Sequence, residues 1–170
     1  VTTIVAKLFN LTQPTTVYFG QKDAQQVVVI RRMARDLNFP LEIAVCPTMR
    51  EADGLAMSSR NVYLQQDDRK AATVLYRALQ SAGDLYASGE RDPEKLRQAA
   101  CDTLASEPLV QADYVSLADV NTLEELQSTG DSPLLLSVAA MLGATRLIDN
   151  CLLPFHLNNR VDLSATLGVS

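Results

Sequence analysis

The chain has 170 residues, of which 47% are hydrophobic and 21% are charged, and its formal net charge is −5. This length allows one domain or two small ones, and the composition is ordinary for a globular protein. The acidic balance excludes broad binding to nucleic acids or anionic membranes, which need a net basic surface. No apolar stretch approaches the roughly 20 residues that cross a bilayer. We therefore expect neither nucleic acid nor membrane as a partner, although a local basic cluster can still bind a small polyanion.

The first 47 residues alternate between predicted helices and strands. The apolar spacing of VTTIVAKLFNLTQ predicts a helix that ends before Pro14. A strand (16–20), a helix (21–39) and a second strand (41–47) follow. The apolar stripe of the second helix consists of Val27, Ile30, Ala34 and Leu37. This order, with short connections, predicts a parallel sheet with crossover helices, whose further strands must come from elsewhere because two strands make a poor sheet.

The organisation changes after a polar loop at residues 48–61. Asp92 and Pro93 are suited to the N-cap and first position of a helix, and Asn121 and Glu124 have the spacing of a capping box. The predicted elements are helices at 66–88 and 91–106, a strand at 112–120, a helical turn at 121–126, and strands at 133–142 and 145–153 joined by a hairpin at Gly143-Ala144. We predict a fold of the α/β class with a domain boundary in or near the polar loop, followed by an α+β half with an antiparallel sheet and a tail at 154–170.

The cysteines and the histidine give no pattern of a metal site. Cys46, Cys101 and Cys151 form no CxxC pair, and His156 is the only histidine, so a zinc site would lack ligands. The chain does not open with a signal-peptide pattern. We expect buried or half-buried thiols in a reducing cytoplasm.

A first polar cluster, FGQKDAQQ, lies at a predicted strand-to-helix turn. Ligands of open parallel sheets bind beyond the carboxyl ends of the strands, and helix N-termini favour anions. Gly20 allows close backbone approach, Lys22 suits a phosphate, Asp23 suits sugar hydroxyls, and Gln26 lies one turn after Lys22. A solvated helix start, in which Asp23 only favours the helix dipole, is an equally good alternative. The segment is no Walker loop, because the chain has no GxxxxGK[ST].

A second polar cluster, READGLAMSSRN, occupies residues 50–61. Ser58, Ser59 and Arg60 offer two hydroxyls and a guanidinium with five N–H donors, which together can bind the oxygens of a triphosphate. Gly54 is a candidate hinge for a closing loop. An exposed Ser-Ser-Arg turn is the commoner explanation of such a tetrapeptide, but the position just after a strand, at a domain boundary, favours a phosphate-binding loop.

The two segments YFGQKDAQQ and READGLAMSSRN together resemble the pantothenate synthetase (pantoate–β-alanine ligase) family, and RLIDN resembles the closing strand of that family. The resemblance extends from residue 1 to about residue 153. It implies the end of a Rossmann-like nucleotidyltransferase domain at 1–48, followed by the small lid domain at 49–153. It also implies an ATP-dependent ligase that joins pantoate to β-alanine through pantoyl adenylate, with AMP and pyrophosphate released, Mg²⁺ accompanying ATP, and a homodimer.

The resemblance also implies roles for individual residues. In the first cluster, Gly20, Gln21, Lys22 and Asp23 would bind ATP, with Lys22 on a phosphate and Gly20 and Asp23 on the ribose, and Gln26 would bind pantoate. In the second cluster, the backbone near Met49 would contact adenine. The triphosphate would be held by Met57, Ser58, Ser59 and Arg60. The catalytic residues implied are Lys22, Ser58, Ser59 and Arg60.

The chain departs from the family pattern in one respect. Members carry an HxGH-type motif in their N-terminal half, and this chain has only His156, in the tail. We therefore expect a C-terminal part whose partner would be the N-terminal half, with little or no ligase activity alone. The tail is atypical of the family and is either a linker or an extension. Another adenylyl-transferring enzyme, or a non-catalytic interaction domain derived from such a ligase, is the alternative.

Overall fold

The computed structural model describes residues 1–130 and 133–154 of the chain. They form two compact units, Val1–Thr48 and the described residues from Met49 onwards. The predicted tail at 154–170 lies, apart from Pro154, outside the described residues. Within these ranges every helix is too short or too polar to span a bilayer.

The first unit consists of two helices and a two-stranded parallel sheet. In chain order its elements are α1 (Thr2–Thr12), β1 (Thr16–Gly20), α2 (Ala24–Asp36) and β2 (Glu42–Cys46). The two strands pair from Thr16 opposite Glu42 to Gly20 opposite Cys46. The predicted order of elements and their parallel pairing are therefore confirmed.

Local sequence explains where the helices of the first unit begin and end. Gln13 takes a left-handed conformation (φ 44°) and donates its N–H to the Phe9 carbonyl, and Pro14 cannot continue a helix. Residues 21–23 form a short 3₁₀ turn, so α2 begins at Ala24. The predicted stripe holds for Val27, Ile30 and Ala34, which are buried. It is wrong for Leu37, which is 58% exposed because α2 ends at Asp36.

The second unit packs helices against a three-stranded antiparallel sheet. Its elements are α3 (Gln66–Ala71), α4 (Val74–Ala87), α5 (Pro93–Ala105), β3 (Val110–Asp119), β4 (Leu134–Leu142) and β5 (Thr145–Leu153). The strand order is β3-β4-β5. Alternate side chains of the central strand β4, from Leu134 to Leu142, join Leu75, Leu79 and Leu96 in the core. The predicted antiparallel sheet and the hairpin at Gly143 (φ 55°) are confirmed.

Two helical predictions in this unit are wrong. The single helix at 66–88 is two helices, because the chain turns at residues 72–73, where the Thr73 hydroxyl donates to the Lys70 carbonyl. No helical turn forms at 121–126. Instead, the Asp119 carboxylate accepts the N–H groups of Asn121 and Thr122, and Leu123 has a positive φ of 62°. The aspartate gives the backbone an alternative to helical hydrogen bonds.

Candidate functional site

The first polar cluster lies where β1 and β2 end. Gly20 and Cys46 are the last pair of the parallel ladder, and the 3₁₀ turn Gln21–Asp23 leads from Gly20 into α2. Gly20 has φ −78° and ψ 136°, which any residue can adopt, and a Cβ placed there meets nothing within 4 Å. Within the described part of the chain, neither backbone conformation nor packing requires this glycine. It leaves open space at the carboxyl edge of the sheet, where ligands of α/β folds bind.

The side chains that follow Gly20 differ in exposure. Gln21 is buried, Lys22 and Gln26 are half-buried, and Asp23 is exposed. Asp23 precedes α2 but its side chain makes no capping hydrogen bond with it. Its charge still lies near the positive end of the helix dipole, so the solvated helix start stays open as an alternative. We expected Lys22 and Gln26 to lie one turn apart on the same helix. Lys22 lies instead in the 3₁₀ turn and Gln26 in α2, so the two residues do not belong to one continuous α-helix.

In the second cluster, residues 50–56 form a compact excursion of the backbone. Arg50 and Ala56 form an antiparallel bridge, the Glu51 N–H donates to the Leu55 carbonyl, and the Gly54 N–H donates to the Glu51 carbonyl. Leu55 and Ala56 are buried. This half of the polar loop is therefore part of the folded unit rather than a solvated turn.

The Arg50 side chain attaches this excursion to the sheet. Its two terminal nitrogens donate to both carboxylate oxygens of Asp149 on β5, at 2.6 and 3.0 Å, and one of them also donates to the Gly54 carbonyl at 3.0 Å. The guanidinium carbon lies 4.5 Å from the centroid of the Tyr76 ring. The side chains of Arg50 and Asp149 are only 15% and 2% exposed, so this is a buried charge pair with bidentate geometry.

Gly54 is required by both packing and backbone conformation. Its φ is +91°, and a Cβ at this position would lie 2.1 Å from Cδ1 of Tyr76. The glycine thus lets the loop lie directly against the Tyr76 ring. This accounts for the glycine without the hinge role that we predicted for it.

A second set of charges holds the other side of the excursion. Arg69 on α3 donates to Asp53 at 2.7 Å and to Glu51 at 2.8 Å, and these hydrogen bonds are the main reason that the pKa values of both carboxyls lie below their ordinary range. The Asn61 side-chain amide donates to Glu51 at 3.1 Å and to the Ala56 carbonyl at 3.2 Å. The charged residues Arg50, Glu51 and Asp53 are therefore used by the fold itself.

The predicted phosphate-binding residues remain at the surface. Ser58 caps a 3₁₀ turn, Ser59–Tyr63, and its Oγ accepts the Arg60 N–H at 3.2 Å. Ser59 and Arg60 are exposed, as are Met49 and Met57. Among the residues that the structure describes, the Arg60 guanidinium has no ion-pair partner. The loop thus presents a serine and an arginine on a firmly attached base.

The cysteines are unpaired, but not all are buried as predicted. Cys101 is half-buried and Cys151 is buried, whereas Cys46, at the end of β2, is exposed. Burial raises the pKa of the Cys151 thiol, which makes it a poor nucleophile. Over residues 1–130 and 133–154, no group of three or more His, Cys, Asp or Glu side chains could hold a metal ion.

Sequence reasoning assigned no role to Arg50, Asp149 or Asn61. One signal was present, since Asp149 is a carboxylate within a predicted strand that ends with the apolar residues Leu152 and Leu153. A charged side chain in such a strand needs a partner, and the sequence does not indicate which arginine provides it.

Comparison with known proteins identifies relatives over most of the chain. The family model for pantoate-beta-alanine ligase matches residues 1–152. The pantothenate synthetase of Herpetosiphon aurantiacus is 58% identical over 150 residues, which cover 88% of this chain and 54% of that protein. This chain thus spans about half the length of the curated relatives that it matches.

Solved structures agree with this match. The crystal structure of pantothenate synthetase from Thermus thermophilus is 44% identical, with a TM-score of 0.83, over 88% of this chain and 53% of that one. The pantoate-beta-alanine ligase of Francisella tularensis, complexed with β-γ ATP and β-alanine, is 30% identical, with a TM-score of 0.59, over 88% of this chain and 48% of that one. On these matches in sequence and fold, the chain belongs to the pantoate–β-alanine ligase family.

Proposed function

We propose that the protein carrying this chain condenses pantoate with β-alanine to form pantothenate, with ATP converted to AMP and pyrophosphate through pantoyl adenylate. The observation that carries the proposal is the loop Met57–Arg60. Its neighbours Arg50, Glu51 and Asp53 are paired within the fold, while Ser59 and Arg60 are exposed and Arg60 forms no ion pair with the residues that the structure describes. A guanidinium presented in this way is suited to bind phosphate oxygens.

The nucleoside part of ATP is assigned to the first cluster and to Met49. Gly20 and Asp23 would contact the ribose, and Gln21 and Lys22 would complete this part of the ATP site, with Lys22 on a phosphate. The open space above Gly20 supports this assignment. The Met49 carbonyl already accepts the Met57 N–H at 2.9 Å, so the Met49 N–H is the backbone group proposed to contact adenine.

The triphosphate is assigned to Met57, Ser58, Ser59 and Arg60. The Ser58 Oγ accepts a hydrogen bond from the Arg60 N–H, which leaves its own O–H to donate to a phosphate oxygen. Ser59 adds a second hydroxyl, and the Arg60 guanidinium can donate two parallel, charge-assisted hydrogen bonds to phosphate oxygens. Hydrogen bonds to charged groups contribute about 1.5–3 kcal/mol each, so a few of them can bind a polyphosphate.

The chemistry explains why cations are needed. The pantoate carboxylate, which Gln26 would help to orient, attacks the α-phosphorus of ATP, and the bond to pyrophosphate breaks. Both reactants are anions, so Lys22, Arg60 and the two serine hydroxyls would offset their repulsion and stabilise the charge that develops on the leaving pyrophosphate. The β-alanine amine then attacks the acyl carbon of the adenylate, loses a proton, and displaces AMP.

Mg²⁺ is proposed as a companion of ATP rather than as a resident ion. The residues in the described ranges include no ready-made cluster of metal ligands, and Asp23, the carboxylate of the first cluster, is assigned to the ribose. Mg²⁺ keeps several of its waters and binds readily to substrate phosphates, so it would be held mainly by the triphosphate that Lys22, Ser58, Ser59 and Arg60 bind. When bound, Mg²⁺ would neutralise part of the phosphate charge.

Two further parts of the proposal concern the whole protein. We propose a homodimer, as the family resemblance implies, which light scattering of the whole protein would test. We also propose a cytoplasmic location, where the three cysteines, none of which forms a disulfide, would remain reduced.

The test is pantoate-dependent exchange of pyrophosphate into ATP, measured on the whole protein. Lys22→Ala and Arg60→Ala should each lower exchange by about tenfold to a hundredfold, as expected for one charge-assisted contact. Lys7→Ala and Arg77→Ala remove exposed cations from α1 and α4 and should change exchange less than twofold (roughly, for surface changes). Exchange that does not need pantoate, or equal losses in test and control variants, would refute the proposed function.

A further inference from the structure

The loop Met57–Arg60 is held at both ends by hydrogen bonds to neighbouring parts of the same unit. Before it, the Met57 N–H donates to the Met49 carbonyl at 2.9 Å, next to the bridge between Arg50 and Ala56. After it, the Asn61 amide donates to Glu51 and to the Ala56 carbonyl. Both attachments lead to the excursion at residues 50–56, so the position of the loop depends on what fixes that excursion.

The excursion is fixed to the sheet by the Arg50–Asp149 pair. One Arg50 side chain binds both oxygens of Asp149, packs its guanidinium against the Tyr76 ring, and donates to the Gly54 carbonyl at 3.0 Å. Asp149 lies on β5, which pairs along its length with the central strand β4. The pair therefore connects the excursion, and through it the loop, to the sheet of this unit.

Stability alone is a weak explanation for such a pair. Removing two charges from water is costly, and apolar residues of similar size often give equal or greater stability than a buried ion pair. An apolar pair would also lack the directional bonds from Arg50 to Asp149 and Gly54. What the charged pair adds is a defined direction and distance between the loop and the sheet.

We propose that Arg50 and Asp149 are positioning residues, which hold Ser58, Ser59 and Arg60 at the site of the leaving pyrophosphate during adenylyl transfer. The inference rests on the proposed function, and it assigns to the pair no contact with substrate. Contacts that matter most in the transition state raise kcat rather than lower KM. Displacing such contacts by about 1 Å can lower the rate about a hundredfold.

The first test is steady-state kinetics of the whole protein carrying Arg50→Met. We expect kcat of the exchange reaction to fall about tenfold to a hundredfold, with KM for ATP changed less than about threefold. Arg146→Met is the matched control, because Arg146 also lies on the sheet and two of its guanidinium nitrogens donate to one carboxylate oxygen of Asp113. Its guanidinium carbon lies 5.9 Å from the centroid of the Tyr114 ring. Within the described ranges, the hydrogen bonds and the ion pair of Arg146 involve Asp113 and not the loop, so this variant should leave both constants unchanged. Equal effects of the two variants would overturn the proposal.

The second test separates positioning from stability. Arg50→Met with Asp149→Leu removes both charges, so no unpaired charge remains buried and the melting temperature should recover. We expect kcat to stay low in this double variant, because the directional bonds are still absent. Arg50→Lys keeps the positive charge but cannot form the two parallel hydrogen bonds of a guanidinium. Its kcat should lie between those of Arg50→Met and the original protein. If kcat returns to the original value together with stability in the double variant, the pair is only structural.

The third test does not depend on activity. Amide hydrogen exchange at Met57 and Asn61, whose N–H groups donate to Met49 and Ser58, should accelerate more than tenfold (a loss of about 1.4 kcal/mol of local protection) in the double variant, while β4 keeps its protection. Unchanged exchange at these amides would refute the anchoring. An original protein without pantoate-dependent pyrophosphate exchange would instead refute the proposed function, and the amide measurement would still decide whether the pair anchors the loop.

Discussion

At the scale of single residues, the absence of a side chain at Gly54 is what allows the loop to pack against the Tyr76 ring. A methyl group there would overlap the Tyr76 ring and would also require an unfavourable φ of +91°. We predict that Gly54→Ala lowers the free energy of unfolding by about 1–3 kcal/mol through overpacking, in addition to the backbone strain. Urea denaturation of the original and variant proteins measures the difference.

A second glycine provides the control for this prediction. Gly89 has φ +108°, and a Cβ there would meet nothing within 4 Å. Gly89→Ala should therefore cost only the backbone strain, about 1–2 kcal/mol. If the two substitutions destabilise the protein equally, close contact with Tyr76 is not the reason for a glycine at position 54.

Glu90 provides a prediction about pH. The N–H of Asp92, the ammonium of Lys95 and the N–H of Arg91 all donate to its carboxylate, and together they lower the pKa of Glu90 from 4.5 to about 2. Because the folded-state pKa is the lower one, these bonds stabilise the protein above the unfolded-state pKa of 4.5, and the contribution is lost as the pH falls towards 2. Carbon NMR titration should show this low midpoint. Lys95→Ala should raise it only partly, because the Asp92 N–H is the larger cause.

At the scale of elements, the capping of α5 is a feature that the sequence predicted in detail. Asp92 accepts the Glu94 N–H at 2.9 Å, and Pro93 takes the first helical position. We predict that Asp92→Ala lowers the free energy of unfolding by about 1 kcal/mol. Asp84→Ala, at an exposed position near the end of α4, should change it by less than about 0.5 kcal/mol. Thermal unfolding of both variants compares them, and equal effects would mean that the cap contributes nothing.

Elements were predictable wherever a local pattern decides the backbone. The strands, the α5 cap and the 143–144 hairpin follow from residue types within a few positions. The two wrong helix predictions of the second unit have one feature in common, which is a side chain that bonds to nearby backbone where the helix was expected. Thr73 does this between α3 and α4, and Asp119 does it after β3. Such bonds compete closely with helical ones, so spacing alone could not show which would form.

At the scale of the whole molecule, the segments proposed to carry the chemistry come from sequence motifs, whereas the contacts that hold these segments come from the structure. The phosphate-binding role of Ser58–Arg60 is a proposal that came from the motif. The buried Arg50–Asp149 contact joins residues 99 positions apart, and one sequence offers no periodicity over such a distance. Long-range polar pairs of this kind depend on the packed sheet, so only the structure could identify them.

The whole-molecule scale also bears on activity. The chain matches 54% of the Herpetosiphon relative and has a single histidine among its 170 residues, so it cannot supply the HxGH-type motif that the family resemblance implies for binding the ATP phosphates. We predict that the 170-residue chain alone releases little or no AMP from ATP, pantoate and β-alanine, because the cations it contributes would act without the groups of that motif. The Thermus thermophilus pantothenate synthetase, in the same assay, is the positive control. AMP release by the isolated chain at a rate comparable to the control would show that Lys22 and Ser58–Arg60 suffice for the chemistry.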